Sequence, residues 1–159
     1  MTKLRVRQKL FRLADQFEIT DEQGQVKYTA KGAIFSWSKS CAILDSSGRE
    51  LARIEQQLLA WMPKFHIYIG NEPIATIAKE MSFFAPRYQI DFGNIRVIGD
   101  PWRHNYSLEA EGRTIGQINK KFFTMADTYE IEILDDSLEL IVLALVLSID
   151  YVKAQQGNK

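Results

Sequence analysis

The side chains able to do acid–base or ligand chemistry in this chain are few and scattered. His66 and His104 are the only imidazoles, and neither has a partner at i+4, the spacing that places two groups on one helix face. His66 sits in the middle of an aromatic-x-aliphatic triplet whose other copies hold Glu, Ala, Gln or Ser there, so pattern rather than chemistry sets its place. Cys41 is the single cysteine, which leaves no intramolecular disulfide and no cysteine-based zinc site. No Gly-x-Ser-x-Gly elbow, phosphate-binding loop or dinucleotide fingerprint occurs. The run Asp45-Ser46-Ser47-Gly48-Arg49-Glu50 lacks the spaced acids of a calcium loop. Asp135-Asp136 is explained by a helix N-terminus, where the macrodipole favours carboxylates. These residues predict no enzyme, no metal and no cofactor, although a triad gathered from distant positions leaves no trace in local spacing.

Two groups of cations stand out. Read as a strand, Lys3-Leu4-Arg5-Val6-Arg7-Gln8-Lys9-Leu10 projects Lys3, Arg5, Arg7 and Lys9 to one face and its aliphatics to the other. Four cations on one face can collect phosphates or anionic lipid headgroups, each contact worth ~1 kcal/mol at an anionic surface. The alternative is a solvated face whose charges oppose edge-to-edge aggregation. Lys120-Lys121 beside Phe122-Phe123 is the second group, in a slot that another repeat fills with Gln56-Gln57-Leu58-Leu59. Asp150 interrupts an apolar run. A buried carboxylate there demands partners; the simpler account puts it at the mouth of the fold, capped by a strand-end N–H or an Arg. Pro101-Trp102-Arg103-His104 lies in an atypically short repeat unit, as a binding surface or as a turn packed around its Trp.

The elements that must position these groups follow from composition and period. The chain has 159 residues, about one domain, and Lys+Arg and Asp+Glu stand at 20 each. With a pI of 6.7 it has no excess of positive charge for nucleic acid. Apolar residues at 46% and charged residues at 25% are globular proportions. The start, MTKLRVRQKL, contains no apolar core of a secretory signal, so a cytoplasmic location is expected.

An internal repeat organises the rest. Gly48-Arg49-Glu50-Leu51-Ala52-Arg53-Ile54 aligns without gaps on Gly112-Arg113-Thr114-Ile115-Gly116-Gln117-Ile118, and the frame continues to Phe65-His66-Ile67 opposite Tyr129-Glu130-Ile131. Leu51-Ala52-Arg53-Ile54 also matches Ile74-Ala75-Thr76-Ile77. Reduced to an aromatic-x-aliphatic triplet, the unit recurs at residues 17, 41 (with Cys for the aromatic), 65, 88, 106 and 129, separated by Gly-containing turns. Six units of two strands predict about twelve strands, mostly antiparallel. Against this alternation, Leu138–Val152 is apolar on nearly every side, with Asp136 placed as N-cap and Glu139 as its capping-box partner. The run is shorter than the ~20 residues of a membrane span, so it is expected inside protein. Fifteen helical residues cover ~22 Å, the height of a barrel too wide for side chains alone to fill. The expected fold is a closed antiparallel barrel around a buried C-terminal helix: one domain over 1–159, strands over about 3–134 and helix over about 137–155.

The start Arg7-Gln8-Lys9-Leu10-Phe11, the segment Phe17-Glu18-Ile19-Thr20-Asp21-Glu22-Gln23-Gly24, Val26-Lys27-Tyr28, the Gly-Arg turn units and the last helix Ala144-Leu145-Val146-Leu147-Ser148-Ile149-Asp150 together resemble the LURP-one-related proteins. These are grouped with the tubby C-terminal domain and the phospholipid scramblases. The resemblance implies a twelve-stranded closed barrel around a central helix. It implies no activity, because neither the scramblase calcium segment nor its cysteine cluster has a match, and tubby's lipid-binding residues find no positions here. The functional expectation is a non-enzymatic binding module for an anionic lipid or another phosphate-bearing ligand, peripheral at a membrane, through Lys3, Arg5, Arg7, Lys9, Lys120 and Lys121. The rival expectations are a protein-interaction domain using Trp37, Trp61 or Trp102, and an enzyme at the barrel mouth; a pocket gathering a histidine with carboxylates would favour the last.

Overall fold

The computed structural model describes residues 1–11, 14–32, 40–57, 61–80, 87–120 and 128–157. The two-residue period becomes twelve strands: β1 (Thr2–Phe11), β2 (Ala14–Thr20), β3 (Val26–Gly32), β4 (Ser40–Asp45), β5 (Glu50–Gln56), β6 (Lys64–Ile69), β7 (Glu72–Glu80), β8 (Arg87–Asp91), β9 (Ile95–Asp100), β10 (Asn105–Ala110), β11 (Arg113–Asn119) and β12 (Thr128–Ile133). The pairing is antiparallel throughout, and β1 joins β12, which gives the order β8-β7-β6-β5-β4-β3-β2-β1-β12-β11-β10-β9. Turn chemistry sets the registers. Asp21 Oδ1 accepts the N–H groups of Gln23 and Gln25, Asp45 Oδ1 those of Ser47 and Arg49, and Gly24 and Gly48 take the positive φ that each turn requires.

The closed barrel expected above is not what forms. β8 and β9 are consecutive strands, yet beyond a single bridge between Phe92 and Ile95 they share no ladder among the described residues. Side chains account for the gap. The ring of Trp102, carried by the 3-10 turn Pro101–Arg103 directly after β9, lies 5.2 Å from the ring of Tyr88 on β8. Gly99 leaves the strand conformation at φ +111 and is drawn against Tyr106 of β10 instead. The triplets report the same defect. The aromatic (or Cys) and aliphatic residues at 17/19, 41/43, 65/67, 106/108 and 129/131 are buried, whereas Tyr88 and Ile90 are only partly buried.

Inside the sheet lies α1 (Glu139–Gly157), in which every residue from 142 to 152 is buried. An all-round apolar helix needs burial on every side. Among the described residues, no helix is long and apolar enough to cross a membrane. Its start departs from the expected capping box. A 3-10 turn, Asp136–Leu138, precedes α1, with the Asp135 side chain accepting from Ser137 N–H; Asp136 accepts from Thr2 Oγ1. Glu139 is drawn off by stronger partners: it accepts from the Tyr28 hydroxyl and pairs with Lys27 at 2.8 Å. Helix and sheet lie close together at Gly116, where a Cβ would stand 2.9 Å from Val142 Cγ1.

Gly99 carries a prediction. A Cβ there would meet Asn105 O at 2.6 Å and Tyr106 Cα at 2.9 Å, on a backbone that L-residues avoid. Neither obstacle is a movable side chain. Gly99→Ala is expected to cost about 2–4 kcal/mol, read as a lowered urea midpoint with unchanged slope. Gly24→Ala, with open space around its Cβ, is expected to cost less.

Candidate functional site

The sequence-marked residues do not gather in one place. Leu4 and Val6 of β1 point inward, and Arg5 and Arg7 are exposed, as the alternation requires. The register, however, sets acids beside the cations: Lys3 faces Glu132, Arg5 faces Glu130 and Arg7 faces Glu18. Cross-strand pairs of opposite charge are worth about 0.2–1 kcal/mol and cancel much of a basic field. Lys9 pairs through its backbone with Gln16. Lys3 also lines a polar cleft of ≈ 600 Å³ together with Lys27, Asp21 and Glu22. Lys120 is exposed just past β11, its N–H bonded to His104 O, whereas Lys121, Phe122, Phe123 and Trp37 lie outside the described residues. Trp61 is 88% exposed. His66 bonds Gln57 Oε1 at 2.9 Å.

A different group does converge. Asp150, two turns before the helix end, is not at a solvent-washed mouth: it is 7% exposed. The helix simply continues past it, to Gly157. Its Oδ1 lies 2.6 Å from His104 Nε2, and its Oδ2 accepts from the Tyr129 hydroxyl. The imidazole stacks on the Tyr129 ring at 4.2 Å and 17°. His104 holds the left-handed conformation, φ 54, at the end of the Pro101–Arg103 turn, where Asp100 caps Trp102 N–H. Tyr106 faces inward from β10 near Asp150, and its buried hydroxyl has no hydrogen-bond partner among the described residues. Burial pushes both phenols well above the usual tyrosine range, and the Asp150 charge adds to the effect. Lys153 ties the helix to the same turn by donating to Trp102 O at 2.7 Å. Tyr106 and Tyr129 read in sequence as core aromatics of the repeat; the only local signal was a carboxylate inside an apolar run.

The same turn borders the open seam. Between β8 and β9 is a cleft of ≈ 580 Å³, lined in part by Tyr88, Ile90, Ile95, Val97 and Trp102, with Arg96 among its polar groups. His104 and Asp150 are not among its lining residues, so the cleft does not present the pair to a substrate. Among the described residues no three His, Cys, Asp or Glu side chains come together as a metal site.

Twelve antiparallel strands wrapped on one apolar helix, with a polar cluster locking that helix to a turn, define a helix-filled β-sheet protein. The chain belongs to the LURP-one-related family, whose model matches residues 2–150. It is 31% identical over 152 residues to the uncharacterized protein YxjI of Bacillus subtilis (strain 168), covering 96% of this chain and 94% of the relative. The X-ray structure of a protein from Arabidopsis thaliana superposes with a TM-score of 0.60 at 14% identity, covering 94% of this chain and 90% of that one. The second likeness speaks for the fold alone.

Proposed function

We propose that this chain is a non-enzymatic binding module for an anionic, phosphate-bearing amphiphile, and that the ligand enters the seam between β8 and β9. The observation that carries this reading is the lapse of strand pairing there. It leaves a cleft between two strand edges able to hydrogen-bond, whose apolar residues Tyr88, Ile90, Ile95, Val97 and Trp102 are joined by a larger polar surface to which Arg96 and Asp91 both contribute. Ligand pockets combine apolar lining with a few placed polar groups, and an arginine matches phosphate oxygens bidentately. Charge does not rank the two sites, since Glu18, Glu130 and Glu132 stand opposite the β1 cations and Glu109 stands opposite Arg96; the seam is preferred for its cleft.

Trp102 supplies the test. With Trp37 and Trp61 replaced by Phe, Trp102 fluorescence reports titration with phosphatidylcholine vesicles containing phosphatidylserine, and separately with inorganic phosphate. A blue shift on anionic vesicles, weaker at physiological than at low salt because screening sets in within ~8–10 Å, is the expected result. Arg96→Gln should weaken binding, and the Lys3, Arg5, Arg7, Lys9→Gln quadruple variant should leave it within about threefold, with stability lowered by only the ~0.2–1 kcal/mol of each lost cross-strand pair. A response to phosphate alone assigns the site to the headgroup and not to the acyl chains. Loss of binding in the quadruple variant with none in Arg96→Gln moves the site to β1.

A further inference from the structure

We propose that the end of the sheet at which α1 finishes is a docking surface for an anionic lipid bilayer, with Trp61 entering the interface. The proposal concerns this outer surface and does not depend on what the seam binds.

Antiparallel order fixes the two ends. The odd-numbered strands finish and the even-numbered strands start at one end, and the short Gly-bearing turns close the other. α1 follows β12 from the short-turn end and reaches the opposite one beside His104, which Asp150 contacts. The ends differ in charge. The short turns and their flanks carry Asp21, Glu22, Asp45, Glu72, Glu111 and Asp136, while Lys27 and Arg49 there are already paired, with Glu139 and Asp45. The opposite end carries Lys31 near the finish of β3, Lys64 at the start of β6, Lys120 just past β11 and Lys153 near the finish of α1.

Register separates these lysines from the β1 cations. Lys31 stands opposite Gln16 and Ala42, and Lys64 opposite Ala78, all uncharged. The acids of the same end are largely taken. Glu55 is held by Arg53 at 2.7 Å, Asp100 pairs with Arg103 at 3.7 Å, and Glu80 stands opposite Arg87. Asp15, near the start of β2, is the acid that remains among the described residues. A chain whose charges sum to zero thus has a positive end and a negative end, and such a field orients the molecule before contact.

Trp61 is the second ground. It is 88% exposed in the β5–β6 connection. Tryptophan is highly buried on average, and a bilayer interface suits it because the ring can enter the apolar layer while its N–H stays wet. Its connection is fixed to the basic rim: Lys64 follows three positions later, and Lys79 N–H donates to Pro63 O at 2.9 Å. The short-turn end also exposes Val26 and Leu134, but among carboxylates that an anionic surface repels. A nucleic acid is the poorer match, since tracking phosphates rests on a basic excess that this chain lacks.

The test uses the full chain and phosphatidylcholine vesicles with and without phosphatidylserine. Co-sedimentation with the anionic vesicles at low salt, falling steeply at physiological salt, is expected. Replacing Lys31, Lys64 and Lys120 together by Gln should lower the partition coefficient by about a hundredfold, about fivefold per charge. Trp61→Ala should lower it by about tenfold without moving the melting temperature. Glu22→Gln with Glu72→Gln, at the acidic end, should leave it within about threefold. With Trp37 and Trp102 replaced by Phe, Trp61 emission should be quenched by brominated acyl chains. Arg96→Gln separates this surface from the seam: it should blunt the Trp102 response and leave sedimentation within about threefold. No sedimentation of the folded parent with anionic vesicles overturns the proposal, as does a lysine variant that binds like the parent. Should the lysine variant melt early, Trp61→Ala decides, and unchanged binding in it overturns the docking surface. Loss of sedimentation in Arg96→Gln with none in the lysine variant returns all binding to the seam. Binding to a single-stranded oligonucleotide but not to vesicles makes the partner a nucleic acid and overturns the bilayer.

Discussion

Replacing Val142 with Asp is expected to abolish folding. Val142 is fully buried, its Cγ1 faces the notch left by Gly116, and it opens an unbroken stretch of eleven buried residues, 142–152. A carboxylate there would face aliphatic neighbours, with no donor of the kind Asp150 has in His104 and Tyr129. Burying an unpaired charge is among the few mechanisms that exceed about 4–5 kcal/mol, against a net domain stability of about 5–15 kcal/mol. The helix as a whole matters more. Val142, Leu143, Leu145, Val146, Leu147, Ile149 and Val152 are each buried, and each is worth ~1.5–3 kcal/mol relative to exposure. Their sum matches or exceeds the net stability of a domain, so a chain ending at Asp135 should not fold either. Expression of both variants, followed by solubility and thermal melting, decides the matter. A soluble Val142→Asp protein with a cooperative melt near the parent temperature would show that the helix is an accessory to the sheet.

That helix was legible because its signal is local: Leu138 to Val152 holds too many apolar residues for any face to meet water. Strand number was legible for the same reason, since alternation and Gly-bearing turns recur at short range. What escaped is set by contacts distant in sequence. The seam exists because Trp102, after β9, meets Tyr88 on β8, and no spacing in the chain announces that encounter. The acids opposite β1 come from β2 and β12, the latter more than a hundred residues away, so Lys3, Arg5 and Arg7 read as a bare basic face until the register is known. The Asp150 cluster is the clearest case. The carboxylate was conspicuous at an apolar site, but the expected partner was a strand-end N–H or an Arg at the mouth of the fold. Its actual partners, Tyr129 at 21 residues and His104 at 46, are supplied by other elements.

Because those partners have no substitute, Asp150→Ala should be the most damaging single change outside the aliphatic core. Removing the carboxylate strands the Tyr129 hydroxyl and the His104 Nε2–H in a buried space where Tyr106 is already unbonded. Breaking a buried polar pair by deleting one member costs about 3–5 kcal/mol, because the survivor keeps its desolvation cost without its bond. The urea midpoint of Asp150→Ala should drop accordingly. Asp150→Asn keeps one oxygen acceptor and should fall between it and the parent. A double-mutant cycle with Tyr129→Phe then isolates the contact itself, with an expected coupling of about 0.5–3 kcal/mol. The effect should reach the seam as well. His104 ends the turn that carries Trp102, and Lys153 grips that turn through Trp102 O, so loosening Asp150 leaves one tether where there were two. Hydrogen exchange at residues 102–106 should therefore rise in Asp150→Ala more than in Lys153→Ala, whose bond is exposed. Equal exchange in the two variants would mean that the seam is held by Tyr88 against Trp102, and that the cluster stabilises the helix alone.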